Sequence, residues 1–138
     1  MENQLTILSE SLDKKLEVLQ KIREYNKRQE EIFSAEEVDM SLFDDAVEEK
    51  QRLIDEVVHL DEGFEIMYEK LARELEGNRE RYAAQIRELQ KKVSRVTELS
   101  VTVQAQEARN KKLIESYFAR ERAEIGQRRN CLLYTSPS

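Results

Sequence analysis

The residues able to do chemistry are few. The chain has one histidine, His59, and one cysteine, Cys131. A structural zinc needs four Cys/His ligands and a nucleophilic triad needs a His beside a Ser or Cys, so neither set can be assembled. The 29 acidic residues could in principle supply a general acid and base, but they recur at helical spacing along solvent faces rather than converging on a cleft. Three glycines in 138 residues leave no Gly-rich loop to cradle a phosphate. His59 reads as a solvated residue on a helix flank. The expectation is a non-enzyme with no catalytic residue, no metal and no cofactor. What remains chemically distinctive is a tyrosine set, Tyr68, Tyr82 and Tyr117, and one amide, Asn110. The first two tyrosines read as core rings with the hydroxyl at the edge, and Asn110 as a polar residue that fixes helix register.

Composition narrows the class further. Charged residues make up 38% of the chain and the net charge is −6, with both signs interleaved. The exception is a short basic stretch, Arg120 to Arg129, and even that contains Glu121 and Glu124. No contiguous basic face tracks a phosphate backbone, so nucleic-acid binding is not expected. No apolar run reaches the length of a membrane span and the first residues do not form a signal peptide, which predicts a cytoplasmic protein without membrane insertion.

The elements that must position these residues show in the periodicity. Every seventh residue from Val47 gives Val47, Ile54, Asp61, Tyr68, Leu75, Tyr82, Leu89, Val96, Val103, Asn110 and Tyr117, nine of the eleven apolar or aromatic. Such a repeat means long helices packed along a narrow seam. An earlier helix carries Leu5, Leu8, Leu12, Leu16, Leu19, Ile22 and Tyr25 on one face. On its other face Glu10, Glu17 and Glu24 each precede a Lys or Arg by four residues, marking the solvated side. Ser34 with Glu37, and Ser41 with Asp44, read as capping boxes around a corner at 34–40. Gly77-Asn78 is the better of two candidate turns, although the unbroken phase through Gly63 and Gly77 leaves open one kinked helix over 41–125. The predicted fold is all-α: an elongated antiparallel helical hairpin or three-helix coiled-coil bundle, one domain over 1–130, with helices near 3–33, 41–75 and 78–125. Val93, Val96, Thr97, Val101, Thr102 and Val103 crowd β-branched residues into the last helix, which then depends on tertiary or partner contacts.

Cys131 to Ser138 departs from everything before it. It is uncharged, has no helical period and holds the sole Cys and Pro. All eight residues match the in-frame translation of a transposase-based sequencing adapter. The resemblance implies a non-native tail and a natural chain that continues differently past Asn130.

Two short motifs carry a second resemblance. Glu49, Lys50, Leu53 and Ile54 match a Glu-Lys-x-x-Leu-Leu pattern in a second helix. Asn110, Leu113 and Ile114 match an Asn-x-x-Leu-Leu/Ile pattern in a last one. In this order, after an opening amphipathic helix, they resemble the FlgN-type flagellar export chaperones over roughly residues 5–125. The sister chaperone of the filament cap, FliT, has a similar outline. The resemblance implies a protein that binds the C-terminal helical end of hook-associated (hook–filament junction) subunits, prevents their premature assembly and passes them to the type III export apparatus. Its implied partner-binding residues are Asn110, Leu113, Ile114, Tyr117 and Phe118. Helix length agrees: a first helix of about 45 Å, at about 1.5 Å per residue, cannot cover a continuous third helix as far as Tyr117. The competing class is a homodimeric structural coiled-coil spacer or adaptor without a client. Oligomeric state and client identity stay open.

Overall fold

Three helices account for the fold: α1 (Glu2–Ser34), α2 (Met40–Leu75) and α3 (Ala83–Thr135). The computed structural model describes the backbone of residues 2–135 and the side chains of residues 2–127. The expected all-α, three-helix architecture is present, and no strand occurs among the described residues. None of these helices is long and apolar enough to cross a membrane.

The corner after α1 is built differently from the expected capping boxes. Ser34 ends α1 rather than starting a helix, and α2 is capped by Asp39, whose carboxylate accepts from the backbone amides of Ser41 at 3.0 Å and Leu42 at 3.3 Å. Asp is among the strongest N-caps because an extended backbone aims its oxygen at the first free amides. Ser41 therefore falls inside the first turn.

The second corner resolves the choice between a kink and a turn. Residues 76–82 form a turn in which Gly77 adopts φ +91°, a left-handed conformation that a Cβ disfavours. The amide of Asn78 donates to the Leu75 carbonyl at 2.9 Å and its side chain to the Glu74 carbonyl, satisfying groups that the helix end leaves free. By contrast, Gly63 lies inside α2. The turn delays α3 to residue 83, and α3 passes residue 125 to reach Thr135, because an interior Gly126 costs only about 1 kcal/mol. Residues 136–138 of the adapter-like tail lie outside the described residues.

With two reversals, α1 is antiparallel to α2 and parallel to α3. The packing is uneven. α1 lies along both other helices, whereas no Cα of α2 comes within 8 Å of a Cα of α3. Two apolar clusters fill the space that α1 shares with them. One gathers Leu12, Val18, Leu19, Ile22, Val96, Leu99 and Val103; the other gathers Leu5, Leu8, Leu71, Leu75 and Tyr82.

The seven-residue stripe changes meaning between helices. In α3 it faces α1, with Val96, Val103 and Asn110 buried, and Tyr82 is buried at the end of the turn before it. In α2 it runs along an edge: Tyr68 is 53% exposed and Val47 40%, so Tyr68 is not the core ring expected. The α2 seam instead steps by three and four residues through Phe43, Ala46, Lys50, Leu53, Val57, Leu60, Phe64, Met67 and Leu71, all buried or half-buried. The turn at 76–82 sets the phase of α3 independently of α2, so the continuity across it carries no packing information.

The two glycines should respond with opposite sign. Gly77→Ala should destabilise by about 1 kcal/mol through its positive φ, and Gly63→Ala should stabilise by about 0.5–1 kcal/mol, as expected for an open helix interior. Urea titration of the two variants followed by circular dichroism checks both.

Candidate functional site

A layer of polar side chains crosses the bundle between the apolar clusters and the first corner. Asn26 and Gln29 continue the α1 stripe at seven-residue steps from Leu19 and Ile22, and each is 1% exposed. Gln106 and Asn110 do the same in α3, beyond Leu99 and Val103. Lys50 enters from the α2 seam with its side chain 12% exposed.

Lys50 organises this layer. Its ammonium donates to Asn26 Oδ1 at 3.3 Å, Gln29 Oε1 at 3.0 Å and Glu107 Oε2 at 3.0 Å. An ammonium has three hydrogens, so Glu107 Oε1, 2.9 Å from Nζ, receives none of its own. Asn26 Nδ2 donates to Gln106 Oε1 at 3.4 Å, Gln106 Nε2 to the Arg23 carbonyl at 3.4 Å, and Asn110 Nδ2 to the Asn26 carbonyl at 2.9 Å. Asn26 thus bonds to groups from both other helices.

Beyond the layer, an aromatic group closes the corner end. Phe33 meets Phe43 edge-on at 4.8 Å between centroids and Tyr117 at 5.5 Å. Edge-on packing is favourable because the positive edge of one ring meets the negative face of the other. α1 stops one residue after Phe33, and α3 continues.

The five residues expected to bind a partner therefore divide. Asn110, 3% exposed, is committed to α1, which agrees with a register role and withholds its amide from solvent. Tyr117 is half-buried against Phe33 and touches Phe118 at 5.3 Å between centroids, so α1 does reach Tyr117, contrary to the expectation from helix length, because α3 starts only at Ala83. Leu113 and Ile114 are half-buried and belong to neither apolar cluster. Phe118 is 39% exposed, and Ile125, two turns on, is 52% exposed. From Phe118 to Asn130, where the adapter-like tail begins, the helix runs roughly 18 Å, at about 1.5 Å per residue, past the last residue of α1. His59 is exposed. No group of acidic, His or Cys side chains suited to a metal occurs among the described residues.

Asn26, Gln29, Gln106 and Glu107 escaped the sequence reading as site residues. For all but Glu107 the signal was present: a polar residue falling where a seven-residue apolar series should continue marks a buried polar layer.

Lys50→Met should cost about 1–3 kcal/mol in urea unfolding, because it strips the donor from buried amide oxygens and from Glu107. Replacing Asn26, Gln29, Lys50, Gln106 and Asn110 together by Leu should restore stability while broadening the amide NMR spectrum, since only the polar layer then ceases to choose the register. No protein-family model, no curated protein and no solved structure matches this chain.

Proposed function

We propose that this protein is a binding protein rather than an enzyme, a cytoplasmic export chaperone that holds an amphipathic helical end of a hook-associated flagellar subunit. The observation that carries the binding role is a row of incompletely covered apolar side chains on α3, Leu113, Ile114 and Tyr117 beside the end of α1 and Phe118 just past it. A client helix laid against them would lie along the end of α1 and continue where α1 stops. Covering the remaining surface of these four side chains yields roughly 3–6 kcal/mol before ordering costs. The flagellar client comes from the resemblance of the Lys50 and Asn110 motifs. It gains support from their meeting on Asn26 in one layer, where they hold the binding stretch of α3 in place. The export apparatus is the next partner in such a role.

The helices close on one another within a single chain, around a fully intramolecular polar layer. A rod-like spacer dimer has no use for that closure.

Calorimetric titration against the C-terminal helical fragment of a hook–filament junction protein should show saturable one-to-one binding. Leu113→Ala combined with Ile114→Ala should weaken it at least about tenfold, which is about 1.4 kcal/mol, with helicity by circular dichroism nearly unchanged. Loss of helicity in that double variant would make the two residues internal core, and absence of heat with the unaltered chain would remove the flagellar client.

A further inference from the structure

The corner between α1 and α2 carries a second surface, with no residue of α3 in its lining. Between the last turns of α1 and the first turns of α2 lies a groove of about 520 Å³. Tyr25 and Ile32 from α1, with Leu42 and Ala46 from α2, give it an apolar floor. Tyr25 and Ile32 are half-buried, and Leu42 is 55% exposed, so apolar surface there stands open to solvent. From Tyr25 to Ala35 the α1 wall runs about 15 Å, at about 1.5 Å per residue.

The charge around this floor is almost all of one sign. Glu31 on α1, Glu37 and Asp39 at the corner, and Asp45 and Glu49 on α2 line the groove, against a single cation, Arg28. The lining therefore holds a net of four negative charges, two thirds of the −6 carried by the whole chain. Arg28 does not neutralise them: its guanidinium lies over the Tyr25 ring, 5.2 Å from the centroid. Glu31, Glu37 and Asp45 are exposed, and neither they nor Arg28 make an ion pair among the described residues. Asp39 is engaged in capping α2, and Glu49 meets Arg52 at 3.3 Å, a surface contact that contributes little. Carboxylates on both walls and at the corner end repel one another and select a cationic partner. The groove between α2 and α3, by contrast, has Arg79 as its one charged lining residue.

We infer that the corner groove is the seat of a helix supplied by another protein, one that carries Lys or Arg on both sides of an apolar seam. About three turns of such a helix span the 15 Å wall. The seam would cover Ile32 and Leu42 in the helix-in-groove manner, one basic edge would meet Glu31, and the other Asp45 and Glu49. A second copy of this chain fits poorly, because its basic stretch, Arg120 to Arg129, brings Glu121 and Glu124 with it. The surface and its occupant do not depend on the client assigned above.

The probe is a synthetic helix of about three heptads with a Leu/Ala seam flanked by Lys on both edges. One control carries Glu in place of Lys, and a second keeps the Lys peptide's composition in scrambled order. Binding is read by fluorescence anisotropy at about 0.15 M salt, where long-range attraction is screened. The Lys-edged helix should bind at least tenfold more tightly than either control. Glu31→Lys with Asp45→Lys brings the lining to neutrality and should erase the preference for Lys over Glu. Leu42→Glu should weaken binding at least tenfold with an unchanged thermal melt, although it adds a negative charge. The Leu113→Ala, Ile114→Ala chain should bind as the unaltered one does. No binding of the Lys-edged helix, binding equal to either control, or binding that Leu42→Glu leaves equal or strengthens overturns the proposal. So does a dimer in light scattering that Leu42→Glu dissociates, because a second copy would then be the occupant.

Discussion

Lys50 reaches from α2 into the space between three helices and donates to Asn26, Gln29 and Glu107, while Asn26 also holds Gln106 and Asn110 of α3. This arrangement exists in one register. Sliding α2 along α1 by seven residues toward the start of α1 would set the ammonium against Ile22 and Leu19, whose side chains offer no acceptor. An unpaired buried charge costs several kcal/mol, more than the apolar contacts of neighbouring registers differ. The apolar layers above and below permit several alignments of interchangeable Leu and Val residues, and the polar layer permits one.

The open features of the molecule follow from that register. Fixing Asn110 on Asn26 places Tyr117 level with Phe33, one residue before α1 ends, so everything α3 carries beyond Tyr117 has no helix of this chain beside it. Fixing Lys50 between α1 and α3 brings α2 toward α3 through one long side chain rather than through backbone contact, and toward the other end the two helices flank a groove. A small, highly charged chain has too little apolar surface to close both gaps itself, and a surface left uncovered in this way suits helix-in-groove recognition.

Much of this was legible in the residues. The three helices followed from seven-residue spacing, and Asn110 stood out as a polar residue on the seam. The α2 seam was not legible, because the apolar stripe from Val47 belongs to an edge of that helix while Lys50 occupies the seam. A rule that sends apolar residues inward and charges outward misplaces both. Asn26 and Gln29 were hidden for the same reason. The cap at Asp39 was obscured by two nearby serines with acids three residues on, and only backbone geometry separates such neighbours. The separation of α2 from α3 depends on the bulk of the side chains packed between each of them and α1, and periodicity carries no record of it.

Hydrogen–deuterium exchange on the free chain and on the chain with the junction-protein helix added tests the central claim most directly. Free, the amides around the polar layer at 22–29, 50–54 and 103–110 should exchange at the slow rate of global unfolding. Those from Phe118 to Gln127 should exchange as a fraying helix does. Adding the partner helix should slow exchange from Leu113 through Ile125 and leave the layer unchanged. Equal protection along all of α3 in the free monomer would contradict the account, since the overhang would then already be covered. Protection that appears only with rising protein concentration would contradict it as well, because the bundle would then be completed by a second copy.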